Sequence, residues 1–233
     1  MTTQKWRRTL ENWPLPLPEF ALGGKQVALL VVDMQHFCAH PDYGLGLKLR
    51  ERFPAAAEYF FARLGLVVPN IARLQRAFRD THRRVIFTTF GPELPDGADL
   101  PKSRRRPATP GARQFNNFAR GTIQHSILPE LQPVAGDLVI NKVTTSAFTS
   151  TGIDQDLRHL GIEALVVTGV STEVCVESTA RDAADRGYEC VIVEDACATL
   201  DEAAHEAMLI SFSRLFGRVM TTEEVIVELL SPR

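Results

Sequence analysis

Five stretches of the chain are apolar without alternation: QVALLVVD (26–33), RRVIFTTF (83–90), GDLVINK (136–142), EALVVTG (163–169) and YECVIVED (188–195). A strand with one face in water alternates apolar and polar residues. A strand covered on both faces does not, and that is how strands of a parallel sheet between two helical layers read. RVMT (218–221) is a shorter sixth candidate.

Between these runs the apolar spacing turns helical. Phe60, Leu64, Val67, Ile71, Leu74 and Phe78 share one stripe of the segment 55–80, which Pro69 is expected to split or kink. Residues 150–161 offer Thr151 as N-cap and end on Gly161; 171–187 open on Ser and Thr and end on Gly187. Residues 201–217 open on Asp201 and end on Gly217, and 221–230 carry a capping-box pattern, Thr221 or Thr222 before Glu224. Alternating strands and helices predict a doubly wound α/β domain, three layers deep, around a mostly parallel six-stranded sheet. Residues 1–24, with Pro14, Pro16, Pro18, Trp6 and Trp13, read as an arm ahead of a domain over 25–233. The Pro- and Gly-rich stretch 91–127, with KSRRR at 102–106, breaks the alternation. A connection of that length is expected to be functional, disordered or engaged with a partner.

Composition narrows the function classes. The 233 residues suit one large domain. With 26 basic and 28 acidic side chains, the net charge of −2 gives no global pull toward nucleic acid or anionic membrane. No apolar run reaches membrane-spanning length, and the N-terminus lacks the apolar core of a signal peptide, so a cytoplasmic protein is expected. Cys38, Cys175, Cys190 and Cys197 form no C-x-x-C pair and are expected to be free thiols.

Ligands of open α/β sheets bind beyond the carboxyl ends of the strands. The first strand ends in Asp33, the third in Lys142, and the fourth runs into GVSTEVC (169–175). Cys175 thus falls near the start of a helix, where the macrodipole and a nearby lysine favour thiolate. An aspartate within reach accepts the thiol proton, and the N–H groups of Ser171 and Cys175 suit a developing oxyanion. Each residue also has a plainer reading: cysteines pack in cores, aspartates cap helices and lysines meet solvent. The residues alone leave both readings open.

VVDMQ (31–35), the lysine in INKVTTSAF (140–148) and GVSTEVCVESTARDAADRGY (169–188) together resemble the isochorismatase-like cysteine hydrolases. The resemblance is to the amidohydrolase branch, which takes in N-carbamoylsarcosine amidase, ureidoacrylate amidohydrolase and biuret hydrolase. It runs from about Val27 to Val225 and is weakest across 91–127. It implies a catalytic triad of Asp33, Lys142 and Cys175, a cis peptide between Val170 and Ser171, and an oxyanion hole from the Ser171 and Cys175 amides. It further implies a pocket walled by Phe37, Phe148 and Val170, a small amide as substrate, no cofactor and no metal, and a homodimer or homotetramer. The implied reaction is hydrolysis of an amide, ureide or carbamoyl C–N bond through a thioester.

Three other readings compete. The family's vinyl ether hydrolases lack the nucleophilic cysteine, so Cys175 argues against isochorismatase chemistry proper. A metal-dependent amidase would draw on His36, His40 and Asp42, but the residue two after Asp33 is Gln35, where a metal-binding nicotinamidase is expected to carry histidine. A non-catalytic binding module of the same fold would use the Trp-bearing arm and the KSRRR run as docking elements. Substrate identity is not legible, although Arg104, Arg105 or Arg106 suits a carboxylate.

Overall fold

A computed structural model describes residues 5–104 and 118–231. Six strands form one sheet: β1 (Val27–Val32), β2 (Arg84–Phe90), β3 (Leu138–Lys142), β4 (Ala164–Val170), β5 (Glu189–Ala198) and β6 (Gly217–Met220). Their order is β3-β2-β1-β4-β5-β6, and every neighbouring pair is parallel. All six lie where the apolar runs place them. The exception in length is β5, which continues three residues past Asp195.

The helices in chain order are α1 (Lys5–Arg8), α2 (His36–Ala39), α3 (Gly44–Arg52), α4 (Pro54–Asp80), α5 (Ala147–Ser150), α6 (Ile153–His159), α7 (Glu177–Asp185), α8 (Glu202–Leu215) and α9 (Thr222–Leu230). They lie on both faces of the sheet. Val27, Leu29 and Val31 of β1 pack with Phe60, Val67, Ile71, Leu74 and Phe78 of α4 and with Val225 and Leu229 of α9. Ala28, Leu30 and Val32 point the other way, to Ile153 and Leu157 of α6, Ala180 and Ala183 of α7, and Met208, Leu209 and Phe212 of α8. The two-residue period of β1 thus feeds both layers, which is why its sequence shows no polar face. Burial of each such side chain is worth about 1.5–3 kcal/mol.

Three local expectations are corrected. The segment around Pro69 is not split but runs as one continuous helix, α4. Pro69 lies on its exposed side, while apolar residues on both sides of it are buried on the sheet. Packing of the whole stripe outweighs the one backbone bond that proline removes. The segment 150–161 is two helices: Thr151 ends α5, and α6 starts after Gly152, with Ile153 N donating to Thr151 Oγ1 at 3.1 Å. Gly217 does not close α8 but opens β6. The capping box of α9 is formed by Thr221 and Glu224, and Asp201 caps α8 by accepting from Ala204 N.

Of the arm, residues 5–24 are described. Trp6 is buried in the second layer and its Nε1 donates to Glu194 Oε2 at 2.7 Å; Leu22 is buried in the first. Among the described residues no helix is long and apolar enough to cross a membrane.

Candidate active site

In the strand order 3-2-1-4-5-6 the chain changes direction across the sheet between β1 and β4, and the crevice beyond their carboxyl ends is the expected ligand site. Asp33 directly follows β1, and Ser171 directly follows β4. A side chain on Gly169 would place its Cβ 2.0 Å from the carbonyl oxygen of Val32, so only glycine lets β4 pass this close to the end of β1. Its φ of +115° is also a glycine conformation. The Val170–Ser171 peptide is cis. A π-helical turn, Thr172–Val176, then carries Cys175 and runs into α7. The Ser171 carbonyl accepts from Val174 N at 3.0 Å and Val176 N at 3.2 Å, which fixes the turn's entry.

Two of the three predicted side chains, Asp33 and Lys142, meet directly, and Cys175 lies within electrostatic reach of both. Lys142 Nζ lies 2.7 Å from Asp33 Oδ2, with side-chain exposures of 0% and 1%. The Cys175 thiol, half-buried, lies close enough to Asp33 and Lys142 to feel both charges. Asp33 sits in the left-handed region at φ +52°, which aspartate tolerates better than most residues. Its other oxygen, Oδ1, accepts from Thr88 Oγ1 at 2.9 Å. Lys142 also donates to Thr144 O at 3.2 Å, and its ammonium stands 5.0 Å from the centre of the Phe90 ring. Burial pulls the lysine pKa down, but the charge of Asp33 and the pairing with it outweigh burial and leave it raised.

The thiol departs from expectation. Burial, and next the charge of Asp33, push the Cys175 pKa up to about 12, against the smaller opposing effect of Lys142. A helix start and a neighbouring lysine therefore do not make a standing thiolate here. The resting site holds a thiol beside the Asp33–Lys142 pair, and the thiol needs a base before it can act as a nucleophile.

Gln35, Phe37 and Arg104, each singled out in the sequence, frame this cluster, together with Phe90, Leu100, Phe118 and Val143, which were not. Gln35 ties the end of β2 to the loop before β3: Phe90 N donates to Gln35 Oε1 at 2.7 Å, and Gln35 Nε2 donates to His125 O at 2.7 Å. Phe37 stacks on Phe118 with centroids 4.1 Å apart, and Phe118 stacks in turn on Phe90 at 5.7 Å. These rings, with Leu100 and Val143, form an apolar cluster beside Lys142. Arg104 reaches the same corner, 5.8 Å from the Phe90 ring centre, and donates to Thr145 Oγ1 at 3.1 Å. Gly44 packs so tightly under Phe37 that a Cβ would lie 2.3 Å from its carbonyl oxygen, so α3 holds α2 in place. Cys38 of α2 is electrostatically coupled to both Asp33 and Cys175, and burial holds its own pKa well above the ordinary thiol value.

The remaining predicted residues scatter. Phe148 does not join the Phe37 cluster: it packs against Tyr188, 6.0 Å between ring centres, with Arg186 over its face at 5.0 Å. Phe148 belongs to the second core layer, the layer against which the half-buried Cys175 also packs. Val170 is buried in the first core layer. His36 and His40 stack at 5.1 Å, but His36 Nδ1 faces Ser126 O at 3.1 Å and Asp42 pairs with Arg50 at 2.5 Å. Among the described residues no three metal-ligating side chains converge. Arg105 and Arg106 lie outside the described residues.

The fold and site together define a doubly wound α/β protein with a thiol, a carboxylate and an ammonium gathered at its topological switch point. The isochorismatase domain matches residues 27–224, and the chain belongs to the isochorismatase family. It is 32% identical over 226 residues to the ureidoacrylate amidohydrolase RutB of Serratia proteamaculans, covering 91% of this chain and 86% of that protein. Over 162 residues it is 33% identical to the uncharacterized isochorismatase family protein YwoC of Bacillus subtilis, covering 70% and 82%. Among solved structures, a cysteine hydrolase from Pseudomonas syringae pv. phaseolicola superposes with a TM-score of 0.77 at 27% identity, over 93% of this chain and 98% of that one. N-carbamoylsarcosine amidase from Thermoplasma acidophilum gives 0.63 at 25% identity, over 85% and 97%.

Proposed function

We propose that this protein is a cysteine amidohydrolase that cleaves a small ureide or N-carbamoyl C–N bond through a thioester on Cys175. The observation that carries the reading is the buried Asp33–Lys142 pair with the half-buried Cys175 thiol beside it. In the resting site the proton stays on sulfur. When a substrate carbonyl occupies the crevice, Asp33 takes that proton as the sulfur–carbon bond forms, so proton transfer and attack are coupled. Negative charge moves from sulfur to the carbonyl oxygen, where the Ser171 and Cys175 amides receive it. The tetrahedral species collapses, the C–N bond breaks, and protonated Asp33 gives its proton to the departing nitrogen. A water then attacks the thioester, Asp33 accepts a proton from it, and the thiol leaves reprotonated. Lys142 stays charged throughout and holds Asp33 in place through their ion pair.

The ureidoacrylate and N-carbamoylsarcosine named for the relatives each carry a carbamoyl nitrogen and a carboxylate. Arg104 stands at the apolar corner beside Lys142, and its guanidinium suits a substrate carboxylate. A small carbamoyl compound bearing a carboxylate is therefore the favoured substrate class. A screen of small amides by ammonia release, with wild type and Cys175→Ala in parallel, tests the proposal. Turnover is expected in wild type and absent in the variant; substantial turnover in Cys175→Ala overturns it.

A further inference from the structure

Thr172 opens the turn that carries Cys175, and it is fully buried. Its Oγ1 lies 3.0 Å from Nδ1 of His205, a buried residue in the first turn of α8. The other ring nitrogen, Nε2, lies 2.6 Å from Nη2 of Arg63 on α4. Arg63 is itself held to the sheet: Nε donates to Cys197 O at 2.9 Å and Nη2 to Glu194 O at 2.5 Å, both on β5. Guanidinium has only donors, so Nε2 must present its lone pair to Arg63. The ring proton then sits on Nδ1 and is donated to Thr172. Burial, and next the charge of Arg63, push the His205 pKa down to about 3. Arg63, Thr172 and the Glu194 backbone are the polar groups facing the ring, and the imidazole stays neutral in this one tautomer.

We propose that His205 is a positioning residue: through Thr172 it fixes the turn that presents the Ser171 and Cys175 amides and the Cys175 sulfur to the substrate carbonyl. The relay runs from β5 through Arg63 and His205 to the first residue of the turn, so the nucleophile is indexed to the sheet that also carries Asp33. A buried histidine that merely satisfied Arg63 would need only its Nε2. The donated bond from Nδ1 to the turn is what a positioning role requires. This inference rests on the reading of Cys175 as the nucleophile.

Two substitutions separate the two bonds. The amide nitrogen of His205→Asn falls near Nδ1 and keeps the donor to Thr172; the amide oxygen of His205→Gln falls near Nε2 and keeps the acceptor for Arg63. His205→Asn is expected to hold kcat within a few-fold of wild type. His205→Gln and Thr172→Val are expected to lose roughly 10- to 100-fold in kcat with little change in KM, the scale of a displaced reacting group. Thr172→Ser, which keeps the hydroxyl, should restore most of the loss. Thermal denaturation of each variant identifies any that fail to fold. Equal losses in the Asn and Gln variants, or a wild-type kcat in Thr172→Val, overturn the proposal. The rate of Cys175 alkylation by iodoacetamide supplies a readout independent of turnover. It should change in His205→Gln and Thr172→Val but not in His205→Asn, even if Cys175→Ala shows the amidase reading to be wrong. Unchanged alkylation in every variant counts against the relay.

Discussion

Replacing Lys142 with methionine isolates the charge at the centre of the site. Methionine keeps most of the lysine stem's volume, so the packing against Phe90 changes little. What changes is Asp33, which is left 1% exposed with no cation and only the Thr88 hydroxyl on its far oxygen. Removing one partner of a buried ion pair costs about 3–5 kcal/mol, because the survivor is an uncompensated buried charge. The Thr144 carbonyl also loses its donor, a further cost of about 1 kcal/mol. At about 2–4 °C per kcal/mol for a chain of this size, the melting temperature should fall by roughly 10 °C or more. Neutralising the partner as well, in Asp33→Asn/Lys142→Met, should return most of that loss. The pH dependence has a definite sign. The folded pKa of Lys142 is raised, so the lysine's contribution is fully present below its unfolded value of about 10.4 and is lost as pH climbs through the folded value. Urea denaturation of wild type, single and double variants between pH 7 and 11 reads all of this. A single variant that loses less than about 1 kcal/mol, or a double variant no more stable than the single, would falsify the picture of a desolvated pair.

Other outcomes follow from the same structure. Burial raises the pKa of Cys190 and Cys197 to about 12. The unfolded chain ionises its thiols near pH 8.5, so each of these two should lower the unfolding free energy by about 1.4 kcal/mol per pH unit above that point. Urea titrations from pH 8 to 10 should show the decline, and Cys190→Ala/Cys197→Ala should make it shallower by these two thiols' share, leaving the part that Cys38 and Cys175 supply. Trp6→Ala removes a buried indole and its bond to Glu194, and should cost about 3–5 kcal/mol in chemical denaturation. A cost under about 1 kcal/mol would mean the arm is not part of the folded core. Arg104→Gln should raise KM roughly 10- to 100-fold for a carboxylate-bearing carbamoyl substrate, the worth of one charge-assisted hydrogen bond, and leave a neutral amide unaffected. Equal effects on both substrates would remove Arg104 from recognition.

The strands were legible because burial on both faces writes itself into continuous apolar runs. Strand β5 runs past its predicted end because Glu194 and Asp195, polar in sequence, are paired within the fold. Their partners come from far away in sequence: Trp6 and Arg7 for Glu194, and Thr222 for Asp195. Pro69 misled for the opposite reason, since a strong local rule gave way to packing of the whole α4 stripe. Asp33, Lys142 and Cys175 could be named from strand ends and motif alone. Thr88 could not, because its bond to Asp33 depends on the β1–β2 register, which sets Val32 beside Thr88. Nor could the state of the thiol: a helix start and a lysine are visible in sequence, whereas the burial that outweighs them is not. Phe148 held a motif position, but its packing against Tyr188 depends on contacts distant in sequence.

The most direct test is to mix the protein with a small carboxylate-bearing carbamoyl substrate, quench in acid within the first turnovers, and locate any added mass by peptide mass spectrometry. The account predicts an acyl adduct on the peptide containing Cys175, absent after Cys175→Ala. Steady turnover with that peptide unmodified in wild type, or with Cys175→Ala still active, would contradict it.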